Sequence, residues 1–151
     1  MRVRAMQLED TRIAGQIAQA ALGPGWDADS MARELGRGVV EAFVVEAEGE
    51  VCALLVGTLV AGEHETLAIA TAESARRRGY ARALLSHALE QARRRGATAA
   101  FLEVRASNHA ARGLYSSLGF VDEATRRAYY ADGEDACVMA ARLEAETPAP
   151  R

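Results

Sequence analysis

The stretch Arg76-Arg77-Arg78-Gly79-Tyr80-Ala81-Arg82-Ala83-Leu84-Leu85 decides the fold, because three arginines lead into a glycine turn that opens an amphipathic helix. After the glycine, apolar side chains recur at the i, i+3, i+4, i+7 spacing that turns one helix face towards a core. Arginines 93–95 suit the negative end of the helix dipole, and Gly96 is a natural stop. The free N–H groups at the other end, beside the arginines, predict a phosphate site.

The sequence around this helix predicts a mixed α/β fold built on a strand–helix–strand unit. His64 to Thr71 precedes the arginine turn as a strand, and Thr98 to Arg105 follows the helix as another. Their crossover connection predicts parallel neighbours in one sheet. Further strands are expected at Arg2 to Met6, Ala42 to Ala47, Val51 to Val60, Phe120 to Tyr130 and Ala136 to Leu143, and further helices from Glu9 to about Leu22, Asp27 to about Leu35 and His109 to Leu118.

Length and composition predict one globular domain. The chain has 151 residues, of which 50% are hydrophobic and 26% charged, with a net charge of −3. Residues 1–143 are expected to form the single domain, and the proline-containing tail 144–151 is expected to be disordered. The lack of a basic excess argues against nucleic-acid binding.

The cysteines, histidines and apolar runs predict a cytoplasmic protein without a metal site. No apolar run approaches the length of a membrane span, and the first residues lack the apolar core of a secretory signal. Cys52 and Cys137 have no C-x-x-C spacing, so we expect buried free thiols in a reducing compartment. The three histidines do not cluster, and no metal is expected.

The pattern Arg76-x-x-Gly79-x-Ala81 is only weakly specific alone, since an arginine-rich solvated turn also fits it. Its position between a strand and a helix favours an anion cradle. It matches neither G-x-x-x-x-G-K-[ST] nor G-x-G-x-x-G, which argues against nucleotide hydrolysis and dinucleotide binding.

A second motif makes the resemblance specific. The pattern R-x-x-G-x-A resembles the acyl-coenzyme A pyrophosphate loop of the GNAT N-acetyltransferases, and residues 102–120 (LEVRASNHAARGLYSSLGF) resemble that superfamily's LEVR-x-S-N-x-x-A-x-x-LY-x-x-LGF signature. The turn with Trp26, the stretch Arg126-Arg127-x-Tyr129-Tyr130 and the residues after Glu134 further resemble the RimI branch. The resemblance implies the GNAT fold, whose mostly antiparallel sheet splays at one parallel pair and is flanked by about four helices.

The resemblance also implies a donor site for acetyl-coenzyme A. The backbone of the strand ending at Thr71 would hold the pantetheine arm, and an N–H near Ile69 or Thr71 would polarise the thioester carbonyl. Amides and arginine side chains of the glycine turn would bind the pyrophosphate. Asn108 most simply caps a helix and would add a cofactor contact. The expected cofactor-binding set is Ile69, Ala70, Thr71, Arg76, Arg77, Arg78, Gly79, Tyr80, Ala81, Arg82 and Asn108.

Two side chains are candidates for acid–base catalysis. Glu103 shares its side of the strand with Phe101 and Arg105. It either forms an ion pair with Arg105 or another neighbour, or acts as a general base on the attacking amine, directly or through water. Tyr115 is either a core tyrosine or, as the resemblance implies, the general acid at the leaving thiolate. Direct transfer is expected, because neither cysteine falls in a matching motif.

The expected acceptor is a peptide or protein N-terminus, because the RimI branch acetylates the N-terminal alanine of a small-subunit ribosomal protein. An α-amine, with a pKa of about 8 against about 10.4 for lysine, becomes a neutral nucleophile more easily by about 3 kcal/mol. By resemblance, Trp26, Glu65, Tyr129 and Tyr130 are expected to bind the acceptor. A lysine or small-molecule amine remains an alternative acceptor, and an acyl-coenzyme A sensor or partner module with little turnover is a rival from another class. The oligomeric state stays open.

Overall fold

Seven strands form one mixed sheet that is flanked by four α-helices in the computed structural model, which describes residues 1–145. The strand order is β1-β2-β3-β4-β5-β7-β6, and within the described part only β4 and β5 pair in parallel, as predicted. The elements are β1 (Arg2–Ala5), α1 (Thr11–Leu22), α2 (Ala28–Leu35), β2 (Val40–Ala47), β3 (Glu50–Val60), β4 (Glu63–Thr71), α3 (Tyr80–Arg94), β5 (Ala99–Arg105), α4 (His109–Ser117), β6 (Val121–Arg126) and β7 (Ala136–Arg142), with short 3-10 turns at Leu8–Asp10 and Glu73–Ala75.

The helices form two layers on the two faces of the sheet. Helix α3 buries Leu84, Leu85 and Ala88 against one face, as its apolar spacing predicts, and α4 joins that core through Tyr115. Helices α1 and α2 cover the other face through residues such as Ile17 and Met31. No helix within residues 1–145 is both long and apolar enough to cross a bilayer.

A β-bulge in β4 opens the sheet where the two parallel strands diverge. Val56 lies opposite Ala68 and Gly57 lies opposite Thr66, so Leu67 is an extra residue in β4. The pairing with β5 ends at Thr66 and Leu102. The bulge also reverses the side-chain alternation: Thr66 shares the face of Leu102, in the α3/α4 layer, whereas Ala68 packs in the α1/α2 layer. Beyond Thr66 the two strands therefore border an open cleft.

The predicted last hairpin is wrong in one respect, because β6 ends at Arg126 and not at Tyr130. Ala128 has a left-handed φ of 49°, and its N–H donates to Asp135 Oδ1 at 2.8 Å, so the chain turns there. Tyr129 and Tyr130 consequently lie in the loop 127–135. This change places both tyrosines near the cleft, as described below.

Two further predictions concern the cysteines and the C-terminal tail. Both cysteines are free, as predicted, but Cys52 is only half-buried whereas Cys137 is buried. Residues 144 and 145 belong to no helix or strand, and the remainder of the tail expected to be disordered, residues 146–151, lies outside the described residues.

Candidate active site

The glycine turn forms a potential anion cradle at the start of α3. Gly79 is the N-cap with a left-handed φ of 81°, and Arg77 two residues earlier has a φ of 67°. A glycine N-cap has no side chain to accept from the first helical N–H groups, so these donors remain available. Among residues 1–145, no ion pair involves Arg76, Arg77 or Arg78, all of which are exposed. The positive charges of these three arginines are therefore available to an anion bound at the first N–H groups of α3.

Two further members of the predicted set support this turn. The Arg82 guanidinium donates to Ser117 Oγ at 2.7 Å and so ties the first turn of α3 to the end of α4. Tyr80 packs partly buried against the α3/α4 core, which fixes where the helix begins. The cradle is thus held on a rigid element.

A cavity of about 240 Å³ lies in the cleft between the diverging strands β4 and β5. It brings together Ile69, Glu103, Tyr115 and Asn108 from the predicted donor and catalytic sets, and Trp26 and Tyr130 from the predicted acceptor set. Ala70 and Thr71 do not line it: Ala70 is buried in the α1/α2 layer, and Thr71 lies farther along β4 towards the cradle. The cavity therefore continues from the donor strand to the acceptor residues.

Glu103 forms an ion pair, and its partner is not Arg105. Arg126 Nε lies 2.9 Å from Glu103 Oε1, whereas Arg105 pairs with Asp132 and Glu134. The Glu103 side chain is 23% exposed and reaches the cavity wall, so the ion pair and access to a ligand coexist. Hydrogen bonding to Glu103 raises the pKa of the neighbouring Tyr129 phenol.

Tyr115 is both a core residue and a wall of the cavity. Its ring lies 6.2 Å from that of Phe120 between centroids, and only 6% of the residue is exposed. Burial, and secondly the nearby Tyr130, raise the pKa of its phenol to about 12. The hydroxyl is therefore protonated near neutral pH and is a hydrogen-bond donor at the cavity.

Asn108 is the N-cap of α4, as predicted, because its Oδ1 accepts from the Ala111 N–H at 3.2 Å. The same residue lines the cavity. Helix capping thus positions Asn108 beside the cleft and also fixes the start of the helix that carries Tyr115.

The predicted acceptor residues surround the mouth of the cavity. A second depression of about 190 Å³ is lined by Glu65, Glu103, Tyr129 and Tyr130, and Tyr130 also belongs to the main cavity. Trp26 reaches the main cavity from the turn between α1 and α2, where it is half-buried. The structure therefore places Trp26 and Tyr130 in the main cavity, and it places Glu65 and Tyr129 in the depression that shares Tyr130 and Glu103 with that cavity.

Sequence reasoning missed two features of this site. Arg126 belongs to the RimI-like stretch, but the sequence did not predict its ion pair with Glu103. A half-buried carboxylate in the middle of a strand needs a cationic partner, which was the available signal. The bulge at Leu67 left no signal, because the segment reads as an uninterrupted strand without glycine or proline.

An opened parallel pair, followed by a helix with an anion cradle, defines the acetyltransferase fold class that the motifs predicted. Residues 11–120 match the model of the Acetyltransferase (GNAT) family. The chain belongs to this family and is an acetyl-coenzyme A-dependent N-acetyltransferase.

Individual relatives resemble the whole chain. The [ribosomal protein bS18]-alanine N-acetyltransferase of Escherichia coli is 36% identical over 141 residues, covering 91% of this chain and 95% of that protein. An N-alpha-acetyltransferase of Sulfurisphaera tokodaii is 34% identical over 94% of this chain and 93% of its own length. The crystal structure of the Escherichia coli ribosomal-protein-S18-alanine N-acetyltransferase superposes with a TM-score of 0.88 at 32% identity, covering 99% and 98% of the two chains. The predicted GNAT fold and RimI-like resemblance are confirmed.

Proposed function

We propose that this enzyme transfers acetyl from acetyl-coenzyme A directly to the α-amine of a protein N-terminus, and that a small-subunit ribosomal protein with N-terminal alanine is its acceptor. The observation that carries the proposal is one cavity, lined by residues of β4, by Glu103 and Tyr115, and by the acceptor candidates Trp26 and Tyr130. The names of the relatives in Escherichia coli and Sulfurisphaera tokodaii support an α-amine acceptor.

The residues present fit coenzyme A. The uncapped amides that follow Gly79 and the exposed arginines 76–78 would hold the pyrophosphate, since phosphates bind helix N-termini and arginine forks. The stretch of β4 after the bulge, including Ile69, has no β5 partner and would contact the pantetheine arm through its backbone. When bound, acetyl-coenzyme A supplies the activated acetyl group as a thioester.

Glu103 is assigned the base that removes the proton from the acceptor amine, directly or through water. The new bond joins the amine nitrogen to the acetyl carbon, the carbon–sulfur bond breaks, and the proton lost by nitrogen goes to the carboxylate. Arg126 orients the carboxylate at 2.9 Å without covering it. A carboxylate is a weak base, which suffices for an α-amine that is partly neutral near physiological pH.

Tyr115 is assigned the hydrogen-bond donor to the departing sulfur. The Tyr115 phenol, with a pKa of about 12, is a weaker acid than a thiol, whose pKa is about 8.5. Complete transfer of its proton to the leaving thiolate is therefore unfavourable. The hydroxyl therefore stabilises the charge that develops on sulfur. The thiolate then takes up a proton from water, and Glu103 returns the amine proton to water. This role requires the buried, protonated phenol that the site provides.

The acceptor would enter past Trp26, Glu65, Tyr129 and Tyr130. Three aromatic side chains and a carboxylate suit a peptide backbone that begins with a positively charged amine. We also place the reaction in the cytoplasm, where two free cysteines such as Cys52 and Cys137 stay reduced.

Mass spectrometry of acetylated peptides tests the acceptor. Matched peptides should carry one lysine and either a free or a blocked amino terminus, with alanine first. We expect one acetyl group on the α-amine of the free peptide and none on the blocked one. Acetylation confined to lysine would overturn the N-terminal assignment, and coenzyme A binding without transfer to any amine would favour the sensor.

A further inference from the structure

One arginine holds the loop 127–135, which carries both acceptor tyrosines. Arg105 Nη1 donates to Asp132 Oδ2 at 2.8 Å and to Glu134 Oε1 at 3.0 Å. Its Cζ lies 4.1 Å from the centre of the Tyr130 ring, within cation–π distance. A single guanidinium at the end of β5 thus contacts three side chains of the loop.

The same contacts reach the segment that leads into α4. Glu134 accepts from Arg105 with Oε1 and from the Ser107 N–H with Oε2, the latter at 2.8 Å. Ser107 directly precedes Asn108, the N-cap of the helix that carries Tyr115. Arg105 and Glu134 therefore join the acceptor loop to the segment that positions Tyr115.

The loop is also ordered by its own backbone. The Tyr130 N–H donates to the Glu134 carbonyl at 3.1 Å, and the Gly133 N–H donates to the Tyr130 carbonyl at 2.8 Å. These bonds shape the turn, but they do not fix it against the sheet. The Tyr130 ring is anchored to the sheet by stacking on Arg105.

Tyr130 occupies the position where this anchoring matters for the reaction. It lines both the main cavity and the depression that holds Glu65 and Tyr129. It shares the main cavity with Tyr115 and Glu103. A displacement of this ring would alter the path of the acceptor without touching the cradle at Gly79.

We infer that Arg105 is a positioning residue for the acceptor: by stacking on Tyr130 and pairing with Asp132 and Glu134, it holds the acceptor loop against the cleft. The inference deepens the proposed function and rests on it for the identity of the acceptor. Arg105 itself does not take part in proton transfer, because its guanidinium is engaged by the loop and stays charged.

Steady-state kinetics of three variants test this role. Arg105→Gln removes the charge and the stacking plane, whereas Arg105→Lys keeps the charge alone. Arg95→Gln is the matched control, since Arg95 forms an ion pair with Glu41 on the surface, away from the cleft. We expect Arg105→Gln to raise KM for an N-terminal peptide about tenfold, from the combined loss of stacking and ion pairs. KM for acetyl-coenzyme A should stay unchanged, Arg105→Lys should be intermediate, and Arg95→Gln should match the wild type.

A double-substitution cycle and hydrogen exchange complete the test. If Arg105 acts through Tyr130, the acceptor KM of Arg105→Gln/Tyr130→Ala should rise less than the product of the two single effects. Amides of residues 127–135 should exchange faster in Arg105→Gln without any acceptor present. Parallel changes in both KM values, or a lower melting temperature with an unchanged acceptor KM, would overturn the inference.

The outcomes separate this inference from the proposed acceptor. If the wild-type enzyme modifies only lysine, the N-terminal assignment fails, and the exchange measurement still reports whether Arg105 holds the loop. If α-amines are acetylated and the loop exchanges equally fast in Arg105→Gln and wild type, only the role of Arg105 fails.

Discussion

The proposed donor side and the proposed acceptor side of the cleft are built in different ways. The donor side uses backbone from one continuous stretch, the end of β4 and the turn at Gly79, with exposed arginines beside it. The acceptor side uses side chains from separate parts of the chain: the α1–α2 turn with Trp26, the start of β4 with Glu65, β5 with Glu103, and the loop 127–135.

This difference predicts which substitutions affect which substrate. Backbone amides can be disturbed only by changing local conformation, so the donor side should be sensitive at glycine and tolerant elsewhere. Acceptor contacts depend on individual side chains, so single substitutions there should change acceptor KM one residue at a time. Glu103 and Tyr115 lie where the two sides meet and should affect turnover alone.

The largest effects are expected for Glu103→Gln and Tyr115→Phe. Each should lower kcat about 100-fold, a typical loss for a positioned base or for a hydrogen-bond donor to developing charge, with little change in coenzyme A affinity. Rapid-quench or steady-state rates together with calorimetric binding of coenzyme A measure both quantities. Arg126→Gln is the control for Glu103, because it breaks the same ion pair but keeps the carboxylate. Wild-type turnover in either catalytic variant would refute its assigned role.

Gly79→Ala should weaken the donor side specifically. Alanine in a left-handed conformation costs about 1–2 kcal/mol, and relaxing that strain moves the amides of the cradle. We expect KM for acetyl-coenzyme A to rise about tenfold, while acceptor KM stays the same. Gly96→Ala is a close control: Gly96 follows the other end of α3, has a φ of 92°, and also faces open space. Equal donor KM values in the two variants would contradict a cradle at Gly79.

Glu65→Gln should affect the acceptor side by a smaller amount. The exposed carboxylate beside Tyr129 and Tyr130 attracts a positively charged acceptor, and such a surface interaction is worth about two- to threefold in KM. Peptide kinetics at low and high salt would reveal this screened attraction. Glu63→Gln provides the comparison, since Glu63 is also exposed in β4 but does not border that depression. Identical acceptor KM values for both variants would remove Glu65 from the acceptor site.

His64 should influence stability and not the reaction rate. It is 1% exposed, neither ring nitrogen has a hydrogen-bond partner among the described residues, and burial lowers the pKa of its imidazole from 6.5 to about 4. The unfolded chain therefore binds the proton first, and folding stability declines by about 3 kcal/mol as pH falls from about 6.5 to about 4. His64→Leu should remove this component of the pH dependence and leave kcat near pH 7 unchanged.

Urea unfolding between pH 4 and pH 7 measures the His64 component. The control His109→Gln should retain the decline, because His109 is exposed at the start of α4. If His64→Leu and wild type lose stability equally over this range, the decline has another source.

The sequence predicted the backbone elements of the proposed donor side well and the side-chain contacts of the proposed acceptor side only in part, for a physical reason. Hydrophobic periodicity and the placement of glycines reflect local backbone conformation, so α3, its glycine N-cap and the parallel β4–β5 pair were predicted together. The ion-pair partner of Glu103 depends on the order of the strands beside β5. Arg126 reaches Glu103 only because β7 pairs with β5 and β6 pairs with β7.

The end of β6 shows the same limit at a single residue. The run from Phe120 to Tyr130 contains no glycine or proline, so nothing local marks the turn at Ala128. The turn depends on contacts made later in the chain, such as the Asp135 carboxylate that accepts from the Ala128 N–H. The positions of Tyr129 and Tyr130 therefore follow from tertiary structure.

The bulge at Leu67 has a consequence for how this enzyme could diversify. Under the proposed function, β4 would present the Glu65 side chain to the acceptor before the bulge and its backbone to the donor after it. The extra residue thus separates the part of β4 that would contact the acceptor from the part that would contact the donor. Altered acceptor selectivity can arise by exchanging side chains before residue 67, while an unchanged thioester site remains in place, so the same scaffold can be retargeted from one protein terminus to another.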